Sequence, residues 1–287
     1  MNSLREFCSK LEMPKEVTEK ILALYKELKE TQNWEKIEEV MTQLFHEETW
    51  ETGVKELRET LGEDAQGLKM LTCMLDCGLK TYLLYQKWGI SDEIFIDSLK
   101  CFSRFVREHH ESFGIYGFDR EWWTVRQLSG KLFRIGELEY EFKENRKNGK
   151  EQRYISLHIP SDANLELEAV HRSYRLAGIF VRQYFPAYIH AKIRCSSWLL
   201  APALRDVLPS NSKIIRFQKE FLIQHVEEES DSFMQWVYKR TDIPWESLPE
   251  ETTLQRNLKQ YILSGRKVGE GAGYLSEKIF QRLFTAE

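Results

Sequence analysis

Long hydrophobic runs are missing from this chain, and so is any excess of positive charge. The longest apolar stretches, such as residues 176–181, fall far short of the roughly twenty residues that a bilayer-spanning helix requires. The opening residues, Met1-Asn2-Ser3-Leu4-Arg5-Glu6, hold no apolar core of the kind a secretory leader carries. A formal net charge of −4 and a pI near 6.1 give no basic surface on which nucleic acid would bind. We therefore expect neither a membrane nor a nucleic-acid partner. Cysteine is sparse and odd in number, five in 287 residues, so no disulfide framework is indicated. Cys73 and Cys77 fall one helical turn apart, but no CxxC and no paired histidine completes a metal site, and we read them as buried thiols. No G-x-S-x-G is present either, which leaves a serine-hydrolase reading without support. These absences point to a reduced, cytoplasmic protein that holds no metal.

What is present suits a folded protein with a full core, and the length leads us to expect two domains: 42% of residues are hydrophobic and 30% charged. Composition changes near residue 113, since of seven prolines only Pro14 comes earlier and ten of the fifteen glycines come later. Upstream the pattern is helical. Val17, Ile21, Leu24 and Leu28 make one stripe, with Lys15, Glu16, Glu19 and Lys26 facing water. Trp34, Ile37, Met41, Leu44 and Phe45 make a second, and Leu68, Leu71, Leu75, Leu79 and Leu83 a third that ends at Trp88-Gly89. Ser91 is an N-cap for a fourth, carrying Phe95, Leu99, Phe102 and Val106. His109-His110, just before Gly114, reads as a solvated helix end rather than a metal pair. The expectation is an all-α domain over residues 1–112.

Downstream the period switches to two. Leu138, Tyr140 and Phe142 alternate with Glu137, Glu139 and Glu141, the pattern of a half-buried antiparallel strand within a run over 132–142. Asn148-Gly149, inside the basic run Arg146-Lys147-Asn148-Gly149-Lys150, closes a solvated loop into a strand over 153–159. There Ile155, Leu157 and Ile159 share one face, and Tyr154, Ser156 and His158 share the other. Pro160 ends the strand, and Ser161, Asp162 and Asn164 offer caps to a long helix over 165–184 whose inner face is Val170, Tyr174, Ala177, Val181 and Tyr184. A strand over 192–199, a short helix over 203–208, and strands over 214–225 and 233–239 complete the series. Phe217, Phe221 and Ile223 are expected to pair with Met234, Trp236 and Tyr238 across the acidic turn at 227–231. If the 192–199 strand is parallel to its predecessor, the crossover is a right-handed β-α-β unit.

That order of elements resembles the core of the GNAT N-acetyltransferases after its first elements. Several stretches also resemble a bacterial family of acyltransferases that joins a helical N-terminal domain to a GNAT-like C-terminal domain. They are Leu132-Phe133-Arg134-Ile135-Gly136-Glu137-Leu138-Glu139-Tyr140-Glu141, His158-Ile159-Pro160-Ser161, Cys195-Ser196-Ser197-Trp198-Leu199-Leu200-Ala201-Pro202, and Ile215-Arg216-Phe217, with Thr253-Leu254-Gln255-Arg256 and Gly265 near the end. The implied fold class is α+β: an all-α N-terminal helical domain followed by a GNAT-like mixed-sheet α/β domain over 113–287, with a helical C-terminal extension. The implied activity is transfer of an acyl group from acetyl-CoA or another acyl-CoA to an amine of a small molecule or peptide, the acceptor entering between the domains. The alternative is a non-catalytic ligand- or partner-binding protein that retains the fold.

The resemblance also implies where the parts lie. In GNAT enzymes a bulged strand splays from the strand after the helix, pantetheine lies in the gap, and the diphosphate meets amides at the helix N-terminus, where unpaired donors and the dipole favour an anion. Mapped here, the gap lies between 155–159 and 195–198 and the anion site at 161–167. Ile159, Ser161, Asn164, Leu165 and Ser196 are the donor-binding candidates. His158, on the polar face at a strand end, has the titration range of a general base, and Ser197 is the second catalytic candidate. Ser196 and Ser197 are also placed to cap the turn, and Cys195 is either a nucleophile or a buried strand thiol. The segment at 159–165 lacks the glycines of the usual [QR]-x-x-G-x-[GA] motif, and Glu166 and Glu168 would repel an anion. Arg266-Lys267-Val268-Gly269-Glu270-Gly271 matches that motif by letter. It follows a helical stripe (Leu254, Leu258, Tyr261, Ile262) where the motif needs a strand, so a mobile surface loop between two helices is expected there.

Overall fold

The apolar stripes of the first half become helices, as helical spacing requires. In the computed structural model these are α1 (Leu4–Lys10), α2 (Lys15–Glu30), α3 (Trp34–Thr42), α4 (Trp50–Leu61), α5 (Leu68–Trp88), α6 (Asp92–Leu99), α7 (Cys101–Phe113) and α8 (Glu121–Leu128). The structure describes every residue except Asn2, Asn148, Gly149, Ala286 and Glu287. The expected Asn148-Gly149 turn lies outside the described residues. Two units are distinguished, Met1–Phe133 and Arg134–Glu287, so the change of composition near 113 falls inside the first. Among the described residues no helix is long and apolar enough to cross a membrane.

Within the first unit α5 is the central helix, buried on all sides from Met70 to Gly78. Its leucine stripe does not stay buried to the end, because a four-residue repeat drifts around the helix by about 40° per step. Leu71 and Leu75 are buried, Leu83 is 67% exposed, and Thr81 and Tyr85 take over the inner face. The Thr81 hydroxyl donates to the Leu128 carbonyl of α8 at 2.7 Å. Gly89 ends α5 in the left-handed region (φ 71°). Ser91 caps the next helix as expected, accepting from the Ile94 amide. The single helix expected beyond it breaks at Lys100 into α6 and α7.

The second half builds one six-stranded sheet from β1 (Leu132–Ile135), β2 (Leu138–Lys147), β3 (Lys150–His158), β4 (Lys192–Ser197), β5 (Phe221–Glu227) and β6 (Glu270–Leu275), in the order β1-β2-β3-β4-β6-β5. The run over 132–142 is two strands, turned at Gly136 (φ 65°). β3 and β4 are parallel, Tyr154 opposite Lys192 through Leu157 opposite Cys195, and α9 (Leu167–Tyr184) makes the crossover. Its face of Val170, Tyr174, Ala177 and Val181 is fully buried, with Tyr184 half-buried. Ser173 joins α9 to the sheet: it donates to the Ile135 carbonyl, accepts from the Leu138 amide at 3.3 Å and shares a hydrogen bond with the Tyr140 hydroxyl at 3.0 Å.

Three expectations fail in the last third. Residues 213–218 are α11 (Lys213–Gln218), following α10 (Leu204–Val207), and only Phe221–Glu227 is strand. Met234–Tyr238 is a π-helical turn, not a strand. Phe233, Met234 and Tyr238 point into a cluster with Leu204, Leu258 and Ile262, which is helical spacing and not the 234/236/238 alternation read from the sequence. The partner of β5 is instead β6, after α12 (Thr253–Leu263), in the segment expected to be a surface loop. β6 is glycine-rich because neighbouring backbone presses on it. A Cβ at Gly271 would lie 2.3 Å from the Leu200 carbonyl oxygen, and one at Gly273 2.4 Å from that of Leu222.

Candidate active site

Strand pairing sorts the polar side chains of the sheet. Because residues opposite one another point to the same side, the registers place Glu139, Glu141 and Lys143 of β2 on one face with Tyr154, Ser156 and His158 of β3. Lys192 and Arg194 of β4, opposite Tyr154 and Ser156, join them, as do Ser196 of β4 and Tyr274 of β6. α9 packs on the other face, that of Tyr140, Phe142, Leu157 and Cys195. The polar face is not solvated in the way alternation suggested: Glu139 is 2% exposed and Glu141 3%. Period two reports which residues share a face, whereas burial depends on what lies over it.

On this face His158 Nε2 lies 2.9 Å from Glu141 Oε2, and Lys143 Nζ is 3.0 Å from Glu141 Oε1. The ladder between β3 and β4 ends at Leu157 and Cys195, leaving His158 and Ser196 past the last paired residues. The gap expected over 155–159 and 195–198 therefore opens later than was mapped, since Ile155 and Leu157 are still paired. Nor does β3 carry the bulge implied by the resemblance; its registers are continuous, and a register irregularity lies instead in β5, between Ile223 and His225. On the other side of β4, away from the gap, Ser196 Oγ donates to Glu270 Oε1 of β6 at 2.8 Å, and Ser232 Oγ donates to Glu270 Oε2 at 2.7 Å. Ser197 has the opposite parity in β4, so it does not share a face with His158; its hydroxyl caps the following turn by accepting from the Leu199 amide at 3.2 Å. Cys195 is fully buried, and burial raises its thiol far above the ordinary range.

The loop from β3 to α9 is arranged differently from the reading of its caps. Asp162 pairs with Arg134 at 2.8 Å instead of capping. The Asn164 amide donates to Glu137 Oε2 at 2.9 Å, and the Asn164 side chain accepts from the Glu166 amide at 3.1 Å. The helix starts at Leu167, two residues late, and its N-cap Glu166 makes no side-chain cap. Glu166 reaches across to α11, to Lys213 Nζ at 3.1 Å and Arg216 at 2.6 Å. The hydrogen bond from Lys213, with the Arg216 bond and both positive charges, holds its carboxyl below the usual range. Ser161 and Asn164 are exposed and Leu165 half-buried, so all three stand at the mouth of the helix.

Two carboxylates escaped sequence reasoning. Glu141 looked like one of three solvent-facing glutamates, and its signal was parity with His158 together with the register a tight hairpin sets. Glu270 lay in the segment read as a loop, and no sequence signal marked it. Among the described residues no group of three or more His, Cys, Asp or Glu side chains is arranged to hold a metal ion.

Comparison with solved structures matches this architecture across nearly the whole chain. An acyltransferase in complex with decanoyl-CoA and teicoplanin superposes with a TM-score of 0.79 at 22% identity, over 96% of this chain and 88% of that one. A variant acyltransferase in complex with octanoyl-CoA gives a TM-score of 0.80 at 21% identity, over 95% and 87%. An acyltransferase in complex with CoA and a 10C-teicoplanin gives 0.78 at 22%, over 96% and 88%. At these identities the likeness is one of fold. No curated protein matches the chain. Family comparison is direct: residues 2–130 match the N-acyltransferase N-terminal domain, and residues 132–275 match the GNAT-like C-terminal domain. The helical first half and the β1-β2-β3-β4-β6-β5 sheet thus agree with the sequence match, and the chain belongs to the N-acyltransferase family that joins these two domains.

Proposed function

We propose that the protein transfers an acyl group from an acyl-CoA to the amine of a small molecule, with His158 as general base. One observation carries this reading: His158, paired with a buried carboxylate, stands at the point where β3 and β4 stop pairing. An extended thioester donor laid in that opening would bring its carbonyl beside the imidazole. Ile159, Ser161, Asn164, Leu165 and Ser196 line the approach, and Lys213 and Arg216, both paired with Glu166, outweigh its charge beside the helix N-terminus where a diphosphate would lie. Solved relatives of the fold hold octanoyl- and decanoyl-CoA, so medium-chain donors belong in any test beside acetyl-CoA.

A second reading, a non-catalytic binding protein on the same fold, has one observation in its favour. The Asn164 and Glu166 amides, which would meet a diphosphate, already serve Glu137 and Asn164, and no glycine lets the backbone approach. A thermal-shift series with acetyl-, octanoyl-, decanoyl- and desulfo-CoA separates the two. A ligand selective for the folded state at a hundred times its Kd adds about 2.7 kcal/mol, a shift of several degrees. A shift with acyl-CoA is expected, and none at millimolar concentration would favour the second reading. His158→Gln should then lower turnover by roughly 10²–10⁴-fold with donor binding intact; unchanged turnover would remove His158 from the chemistry.

A further inference from the structure

Glu141 is a buried carboxylate for which base catalysis by a lone imidazole has no use. It is 3% exposed, it sits mid-strand in β2, and it meets a ring nitrogen of His158 at 2.9 Å and the Lys143 ammonium at 3.0 Å. Desolvating a carboxylate is costly unless its lone pairs are satisfied, and a neutral residue at this strand position would avoid that cost. Lys143 on its own strand would be enough to neutralise it. The bond between Glu141 and His158 crosses to the neighbouring strand at the edge of the gap.

We propose that Glu141 is a positioning residue for His158, fixing its tautomer and ring orientation so that Nδ1 is the basic nitrogen. This rests on the reading of His158 as general base. An ionised carboxylate only accepts hydrogen bonds, so the imidazole nitrogen facing it must carry the proton. In the neutral ring Nε2 is then N–H, and the lone pair lies on Nδ1. As the acceptor amine attacks the thioester carbonyl, the C–N bond forms and the C–S bond breaks. The amine proton passes to Nδ1, and the positive charge that appears on the ring is held by the carboxylate behind it. That proton then returns to the departing thiolate, giving amide, thiol and a neutral His158.

Two measurements test this, the first of them independent of the activity. In the free protein, proton NMR with ¹⁵N-labelled histidine should show a downfield His158 Nε2–H protected from exchange, and the signal should vanish in Glu141→Ala. Its absence from the native protein would overturn the inference, whatever the enzyme does. Kinetically, Glu141→Gln should lower kcat by about tenfold or more with the donor KM within about twofold, and it should add less than about twofold when His158 is already Gln. Losses that multiply would mean that Glu141 acts independently of His158, and no loss in the native background would mean that it does not act at all. If His158→Gln retains full turnover while the protected Nε2–H is present, the base assignment is what falls, and the pair is then only structural.

Discussion

Cys195 is the last residue of β4 that pairs with β3, opposite Leu157, and nothing about its place there suits a nucleophile. Its side chain is fully buried and its thiol is pushed up by desolvation, with the charge of Glu270 adding to the effect. A thiolate would have to form where the folded protein most disfavours it. Cys195→Ala should therefore keep turnover within about threefold, while the small void costs on the order of 1 kcal/mol of stability. Steady-state rates and urea melts of the two proteins check this, and a loss of a hundredfold or more would return Cys195 to the mechanism. The neighbouring serines divide as strand parity dictates: Ser196 faces Glu270 and Ser197 caps a turn.

At the scale of elements, α9 is held from both sides. Ser173 ties its first half to the β1–β2 turn, and in its second half Gly178 packs against the π-helical turn at Phe280–Phe284. A Cβ on Gly178 would lie 1.9 Å from the Phe284 carbonyl oxygen, so that backbone would have to move. Alanine is worth about 1 kcal/mol over glycine in a helix interior, yet overpacking of this kind costs roughly 1–3 kcal/mol. The closeness of the clash makes the second effect win. Gly178→Ala should lower the urea midpoint, and an equal or higher midpoint would mean that the C-terminal turn is not seated on α9. The same logic explains β6. Its sequence, Glu270-Gly271-Ala272-Gly273-Tyr274-Leu275, has low strand propensity because two positions must admit another segment's backbone.

For the molecule as a whole, buried phenols and thiols set the alkaline limit. Burial raises Tyr85, Tyr140 and Tyr174 far above the ordinary 10.0, Tyr238 to about 12, Cys8 to about 11 and Cys73 to about 12. Each group is protonated in the folded state where the unfolded chain has already released its proton. The stability it contributes is complete below the ordinary value and is lost as pH rises toward the folded one, by up to about 1.4 kcal/mol per pH unit per group. Tm should hold through pH 8 and fall with increasing steepness from about pH 9 toward pH 12. Calorimetry across that range checks it, and a flat Tm to pH 11 would mean that these side chains are reached by water.

The helices of the first half were legible in the sequence because helix burial follows a local period: Val17, Ile21 and Leu28, or Phe95 and Leu99, recur at the spacing of one face. So were β2, β3, the crossover and β4, where alternation, a proline and an amphipathic run stand in order along the chain. Local pattern alone also placed His158 at a strand end. What it could not supply was pairing between segments far apart. β6 lies between β4 and β5 because of pairing with residues far away in sequence, 80 positions for Arg194–Tyr274 and 47 for His225–Ala272, and no periodicity within six residues records it. Glu270 entered the site by that route. Glu141 reached His158 through the β2–β3 register, and its burial was set by the surroundings of the face it shares. Local spacing decided which side chains point together; tertiary pairing decided which of them meet.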